Sequence, residues 1–175
     1  SPVPTYLWGP SGSGKTPLLR AARQALREQG AAIGWLDADS PPRLPFDDAW
    51  EAVLMDDVHR YGAELQHTAF QWFVQAVAPE NGRPRAVLAA GALPPADLPL
   101  REDLRTRLGW GHVFELHLLP ESDVFLSDEV MNLVLGRFSR HPGSLLQLRD
   151  HLDRYALQTQ RAITIPLVKS MLQDE

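Results

Sequence analysis

Short apolar runs alternate with longer amphipathic stretches along the first part of this chain. Thr5–Trp8, Ile33–Leu36, Ala52–Met55, Ala86–Ala90 and Val113–Leu116 are brief runs that predict strands. Between the first two, Thr16–Gln29 sets Leu18, Leu19, Ala22, Ala25 and Leu26 on one stripe, with Gly30 at the stop, which predicts a helix. Ala63–Ala78 predicts a second helix with Phe70, Phe73, Val74 and Val77 on its apolar face, and Arg101–Leu108 a short basic third. Asp39–Asp48, rich in Pro and Asp, reads as a loop, and Pro94-Pro95 breaks the chain before the third helix. Strands that are apolar throughout, separated by helices, imply a parallel sheet covered by helices on both faces.

Beyond Pro120 the pattern becomes helical. Ser127–Phe138 opens on a capping Ser-Asp-Glu and carries Val130, Leu133, Val134 and Phe138 on one side. Ser144–Leu157 and Pro166–Leu172 predict two more helices, and no strand is expected in this part. The division that follows is an α/β core over residues 1–118 and a small all-helical lid over 119–175.

Composition adds mainly exclusions. With 175 residues, 44% hydrophobic and 22% charged, the chain is sized for one domain with a small appendage. The absence of cysteine removes disulfides and thiolate chemistry, and suits a cytoplasmic protein. A formal net charge of −5 argues against a bulk basic surface for DNA. Apolar runs such as Ala86–Leu93 fall far short of the roughly 18 residues a membrane-spanning helix needs. No secretory leader pattern opens the chain. It begins at Ser1 rather than Met, so the natural N-terminus is expected to lie upstream.

Chemistry enters at Gly9-Pro10-Ser11-Gly12-Ser13-Gly14-Lys15-Thr16, which fits G-x-x-x-x-G-K-[ST] at every fixed position and sits between a strand and a helix. Such a loop turns successive backbone N–H groups toward phosphate oxygens at a helix N-terminus. Lys15 is expected to reach the β- and γ-phosphates and Thr16 to hold Mg²⁺. Pro17 removes one N–H donor from that cradle. Val53-Leu54-Met55-Asp56-Asp57 is an apolar strand ending in two carboxylates, expected to lie beside the P-loop strand. Asp56 is then expected to support the metal and Asp57 to orient or deprotonate a water. His59 reads as a loop histidine, and the five tryptophans as core or interface residues.

Asp103-Leu104-Arg105-Thr106-Arg107-Leu108-Gly109-Trp110-Gly111 resembles the Box VII region of the Hda/DnaA-type AAA+ family. The resemblance runs along nearly the whole chain. Trp8–Leu19 is similar to the family's Walker A segment, Val53–His59 to its Asp-Asp Walker B, Ala89–Leu98 to its sensor I turn, and Leu126–Leu172 to the Hda lid. It implies an AAA+ P-loop NTPase that takes ATP or ADP with Mg²⁺ between core and lid. Arg107 matches the arginine finger that acts on a neighbouring subunit's nucleotide. The implied function is regulation of chromosomal replication, by stimulating ATP hydrolysis in the initiator DnaA. The sliding clamp is a partner by resemblance alone, and Box VII contacts would allow homo-oligomers. The chain ends at Glu175 with no helix-turn-helix, so a DNA-binding domain is not expected.

Four features depart from the family pattern. The family's N-terminal segment, with its clamp-binding peptide, is not in this chain. Ala89-Ala90-Gly91 offers no polar sensor I side chain, Gly143 stands where a sensor II arginine is usual, and Asp123-Val124 join where relatives have another lid helix. Weak or absent intrinsic hydrolysis is therefore expected. The alternatives are a self-acting ATPase of the initiator or helicase-loader kind and a P-loop scaffold without turnover. A small-molecule kinase fits less well, since no arginine-rich acceptor lid is evident.

Overall fold

The computed structural model describes residues 3–118 and 161–162. Five strands form one parallel sheet: β1 (Thr5–Trp8), β2 (Ile33–Leu36), β3 (Ala52–Met55), β4 (Ala86–Gly91) and β5 (His112–Glu115), in the order β2-β3-β4-β1-β5. The helices are α1 (Lys15–Glu28), α2 (Ala63–Val77) and α3 (Glu102–Leu108). All eight elements correspond to predicted ones, with ends displaced by at most a residue.

One predicted neighbour relation is corrected by this order. The acidic strand β3 does not lie beside the P-loop strand β1; β4 runs between them. Apolar content identifies a parallel-sheet strand but carries no information about which strand flanks it.

Each face of the sheet is covered. Alternate residues point opposite ways, so Tyr6, Val53, Met55, Val87 and Ala89 enter one core with Leu65, Ala69, Trp72, Phe73, Leu104 and Leu108 of α2 and α3. α1 lies against β4 and β2 and buries Leu18, Leu19, Ala22, Ala25 and Leu26. Burying each leucine of that stripe is worth about 2 kcal/mol. Its predicted stop is observed: Gly30 takes φ +84°, and Ala31 N–H closes on Leu26 O at 3.1 Å.

The buried apolar stripe of α2 is Leu65, Ala69, Trp72, Phe73 and Ala76; of the predicted face Phe73 is in it, while Phe70 and Val77 pack partly buried at its edge. The loop before β3 decides this. Its backbone accepts from Thr68 Oγ1 at Pro42 and from Trp72 Nε1 at Leu44, and Phe46 and Trp50 stack edgewise toward Trp72. Phe70 is left half-buried on the flank.

Past the core, Arg161–Ala162 (β7) pairs antiparallel with His117–Leu118 (β6). No strand was expected there. The run Arg161-Ala162-Ile163-Thr164-Ile165 precedes Pro166, and β-branched residues ahead of a proline favour extended backbone. The predicted helices Ser127–Phe138, Ser144–Leu157 and Pro166–Leu172, the Asp123-Val124 junction and Gly143 lie outside the described residues.

Candidate functional site

The C-terminal ends of β1, β3 and β4 open into a cleft of about 620 Å³, lined by the P-loop, Asp57, His59, Arg60 and Ala92. Of the predicted loop residues, Ser11, Gly12, Gly14, Lys15 and Thr16 line it, together with Pro17. Gly9 and Ser13 support the loop instead. A side chain at Gly9 would meet Leu116 O at 2.6 Å and Ser13 Oγ at 2.8 Å. Gly12 and Gly14 take φ of +81° and +94°, a region L-residues enter only under strain.

Lys15 is almost fully buried. Its Nζ donates to Gly9 O at 2.5 Å, Pro10 O at 2.9 Å and Ser13 Oγ at 3.1 Å. An ammonium carries three donors, so the loop's own acceptors engage it fully. An anion in the cleft must take over some of these contacts.

The Thr16 hydroxyl stands near enough to the Asp56 carboxylate to influence its titration. Asp56 is buried at the end of β3, where its N–H donates to Leu36 O at 2.8 Å and its Oδ1 accepts from Asp57 N–H at 3.0 Å. Burial raises the Asp56 pKa above the ordinary carboxylate value; the Thr16 hydroxyl opposes this, and the Asp57 charge adds to it. A hydroxyl and a carboxylate near one another form the hard-oxygen pair that suits Mg²⁺, so the donor set fits the ion.

Asp57 sits at φ +52°, the one described non-glycine residue with positive φ. Asp tolerates this conformation better than most residues, and here it turns the chain out of β3 into a single 3₁₀ turn, Val58–Arg60. Arg60 faces Asp57 at 3.7 Å. His59 departs from its sequence reading as a mere loop histidine: it lines the cleft, and its Nδ1 accepts the Ala92 N–H at 3.1 Å. The sequence signal was its place two residues after the acidic pair. Burial, ahead of the nearby charges, lowers the His59 pKa.

The end of β4 is closed to side chains. A Cβ at Gly91 would stand 2.5 Å from the Tyr6 hydroxyl and 3.0 Å from Val58 Cγ2. The Tyr6 hydroxyl itself donates to Leu93 O at 2.5 Å.

Arg107 does not line this cleft. Its guanidinium lies 5.0 Å from the Trp110 ring centre and 5.8 Å from that of Phe70. Trp110 is 63% exposed, unusual for so large a ring. The two rings hold Arg107 by cation–π contact. Among the described residues no three or more His, Asp or Glu side chains gather as a metal cluster, and no helix is long and apolar enough to cross a membrane.

Residues 121–172 match the Hda lid domain family. Domain III of the Thermotoga maritima replication initiation protein DnaA has the same fold, at 18% identity and TM-score 0.54, covering 98% of this chain and 83% of that one. AMPPCP-bound DnaA from Aquifex aeolicus matches at 18% identity and TM-score 0.56, over 90% of this chain and 53% of that one. This chain thus spans about half the length of that initiator. A solution structure of protein NMB1076 from Neisseria meningitidis is 31% identical over 69% of this chain and 76% of that one, with TM-score 0.48.

Proposed function

This chain belongs to the Hda/DnaA-type AAA+ family, and we propose that it regulates replication initiation by binding adenine nucleotide and acting on DnaA. The observation that carries the nucleotide reading is the cleft itself, lined by Lys15 and Thr16 of the P-loop together with Asp57, with Asp56 buried beside Thr16. Ser11, Gly12, Gly14, Lys15 and Thr16 cradle the phosphates through backbone N–H groups, and Lys15 exchanges loop carbonyls for phosphate oxygens. Thr16 and Asp56 hold Mg²⁺, which when bound neutralises phosphate charge. Asp57, turned toward the cleft by its left-handed backbone, orients the attacking water. The AMPPCP bound by the Aquifex aeolicus initiator supports adenine as the base.

Arg107 is the element that acts outward. It stands apart from the chain's own cleft, half-buried beside the exposed Trp110. An arginine supplied in trans stabilises charge developing on a transferred phosphoryl group. The partner is then DnaA, carrying ATP, with Arg107 entering its site. The sliding clamp stays a partner by family resemblance alone, and the Arg107 face would equally serve contacts between copies of this chain. The protein works in the cytoplasm, where that partner is.

The test has two parts. Calorimetry of ADP and ATP with Mg²⁺, on the wild type and on Lys15→Ala, reads the cleft: binding is expected in the first and lost in the second. Hydrolysis by DnaA with and without this protein reads Arg107. Arg107→Ala is expected to abolish stimulation while leaving ADP binding intact, and normal stimulation by that variant would remove the finger assignment. The second reading, a scaffold without nucleotide, is favoured by one observation, Pro17 in the cradle, and stands if the wild type binds neither nucleotide.

A further inference from the structure

We propose that His59 recognises the terminal phosphate of the nucleotide, doing from the turn after β3 what the end of β4 is sterically barred from doing. This rests on the nucleotide-binding reading of the cleft.

The β4 end faces the cleft between the P-loop strand and the acidic strand. It carries Ala89, Ala90 and Gly91, none with a polar side chain, and the Tyr6 hydroxyl fills the space a side chain at Gly91 would need. The polar group at this place comes instead from the neighbouring element. His59 lines the same cleft as Lys15, Thr16 and Asp57. Its Nδ1 accepts the Ala92 N–H at 3.1 Å. A ring nitrogen that accepts carries no proton, so the neutral ring holds its proton on Nε2 and has one N–H left to donate.

His59 is held by one hydrogen bond to a segment that is itself anchored. The Ala92 amide fixes Nδ1, and the next residue's carbonyl, Leu93 O, is fixed by the buried Tyr6 hydroxyl. The ring is thus positioned before any ligand arrives, which spares the ordering entropy a free side chain would lose. Arg60 lines the cleft too, but its side chain is 57% exposed and it already faces Asp57. His59 is the half-buried, directed donor of the pair.

A donor of this kind separates triphosphate from diphosphate. The experiment is calorimetric titration of the 175-residue chain with ADP and with AMPPCP, both with Mg²⁺, for wild type, His59→Ala, His59→Gln and Lys15→Ala. The expected result is that His59→Ala weakens AMPPCP binding about tenfold, the effect of one hydrogen bond to a charged group, and moves the ADP affinity by less than about twofold. Gln has an acceptor for Ala92 N–H and a donor for the phosphate, so His59→Gln is expected to restore most of the AMPPCP affinity. Equal effects of His59→Ala on both nucleotides, or none on either, would overturn the proposal while leaving the nucleotide site standing. No binding by the wild type, or full binding by Lys15→Ala, would overturn the site and the role of His59 with it.

Discussion

The Thr16 hydroxyl stands close enough to the Asp56 carboxylate to pull its pKa down against the effect of burial, so the P-loop and the acidic strand come together although β4 separates their strands. The approach places two hard oxygens together, and it does so at some expense in stability. Asp56 is buried and its pKa is raised. A carboxyl with a raised folded-state pKa contributes stability at low pH that is lost as pH rises through that value. At neutral pH the charged carboxylate is therefore a liability in the ligand-free protein. Asp56→Asn, which keeps an acceptor for Asp57 N–H, is expected to raise Tm by about 2–4 °C, the shift about 1 kcal/mol makes in a domain of this size. It is also expected to abolish Mg²⁺-dependent tightening of ADP binding. Thermal melting beside calorimetry with and without Mg²⁺ checks both, and a lower Tm would show that the buried charge is compensated.

Pro17 sits in the first turn of α1, where N–H groups have no helical partner. Its missing donor is felt by a phosphate rather than by the helix. Pro17→Ala is expected to tighten ADP binding by up to about tenfold. It should lower stability slightly, because proline restricts the unfolded chain. The two signs are opposite, so a variant that improves both or neither contradicts this account of the cradle.

His59 gives the protein an acid-side sensitivity. Burial holds its pKa below the ordinary value, so between the two values the unfolded chain binds the extra proton. The stability this group contributes is complete above about pH 6.5 and is lost as pH falls below it. Asp56 acts with the opposite sign, so the comparison must be between variants. The stability difference between wild type and His59→Gln, from denaturant titrations at several pH values, should shrink steadily from about pH 7 to about pH 5. A constant difference would show that His59 is not held neutral.

Gly14 precedes α1 at φ +94°. Gly14→Ala is expected to destabilise the fold by about 1–2 kcal/mol and to weaken ADP binding as the loop relaxes. Gly62, at the start of α2, has negative φ and nothing near an added Cβ. Gly62→Ala is the matched control, with an expected change below about 1 kcal/mol in denaturant unfolding.

The sheet strands, the helices and the P-loop were legible in the sequence because each has a local cause. Apolar runs make strands, a stripe from Leu18 to Leu26 makes α1, and glycines at 12 and 14 make the loop. What the sequence hid was set by distant partners. Strand order is one case: nothing in Val53–Met55 announces that β4 will stand between it and β1. The stripe of α2 is another, because Trp72 turned inward to a loop that ends at Trp50. His59 was passed over for the same reason, since its partner, Ala92 N–H, is 33 residues away. The β6–β7 pair also joins residues remote in sequence, from His117–Leu118 to Arg161–Ala162. The roles proposed for Arg107 and the lid rest on family resemblance, not on any periodicity.

Tyr6 and Gly91 together constrain the routes by which this protein could change. A polar side chain at position 91 collides with a hydroxyl that is fully buried and anchored on Leu93. Tyr6→Phe alone would orphan the Leu93 carbonyl, and a larger residue at 91 alone would disrupt the core. A mutational path that restores a side chain there must cross one of two less stable single variants. The wiring around His59 is in that sense a ratchet: easier to keep than to undo.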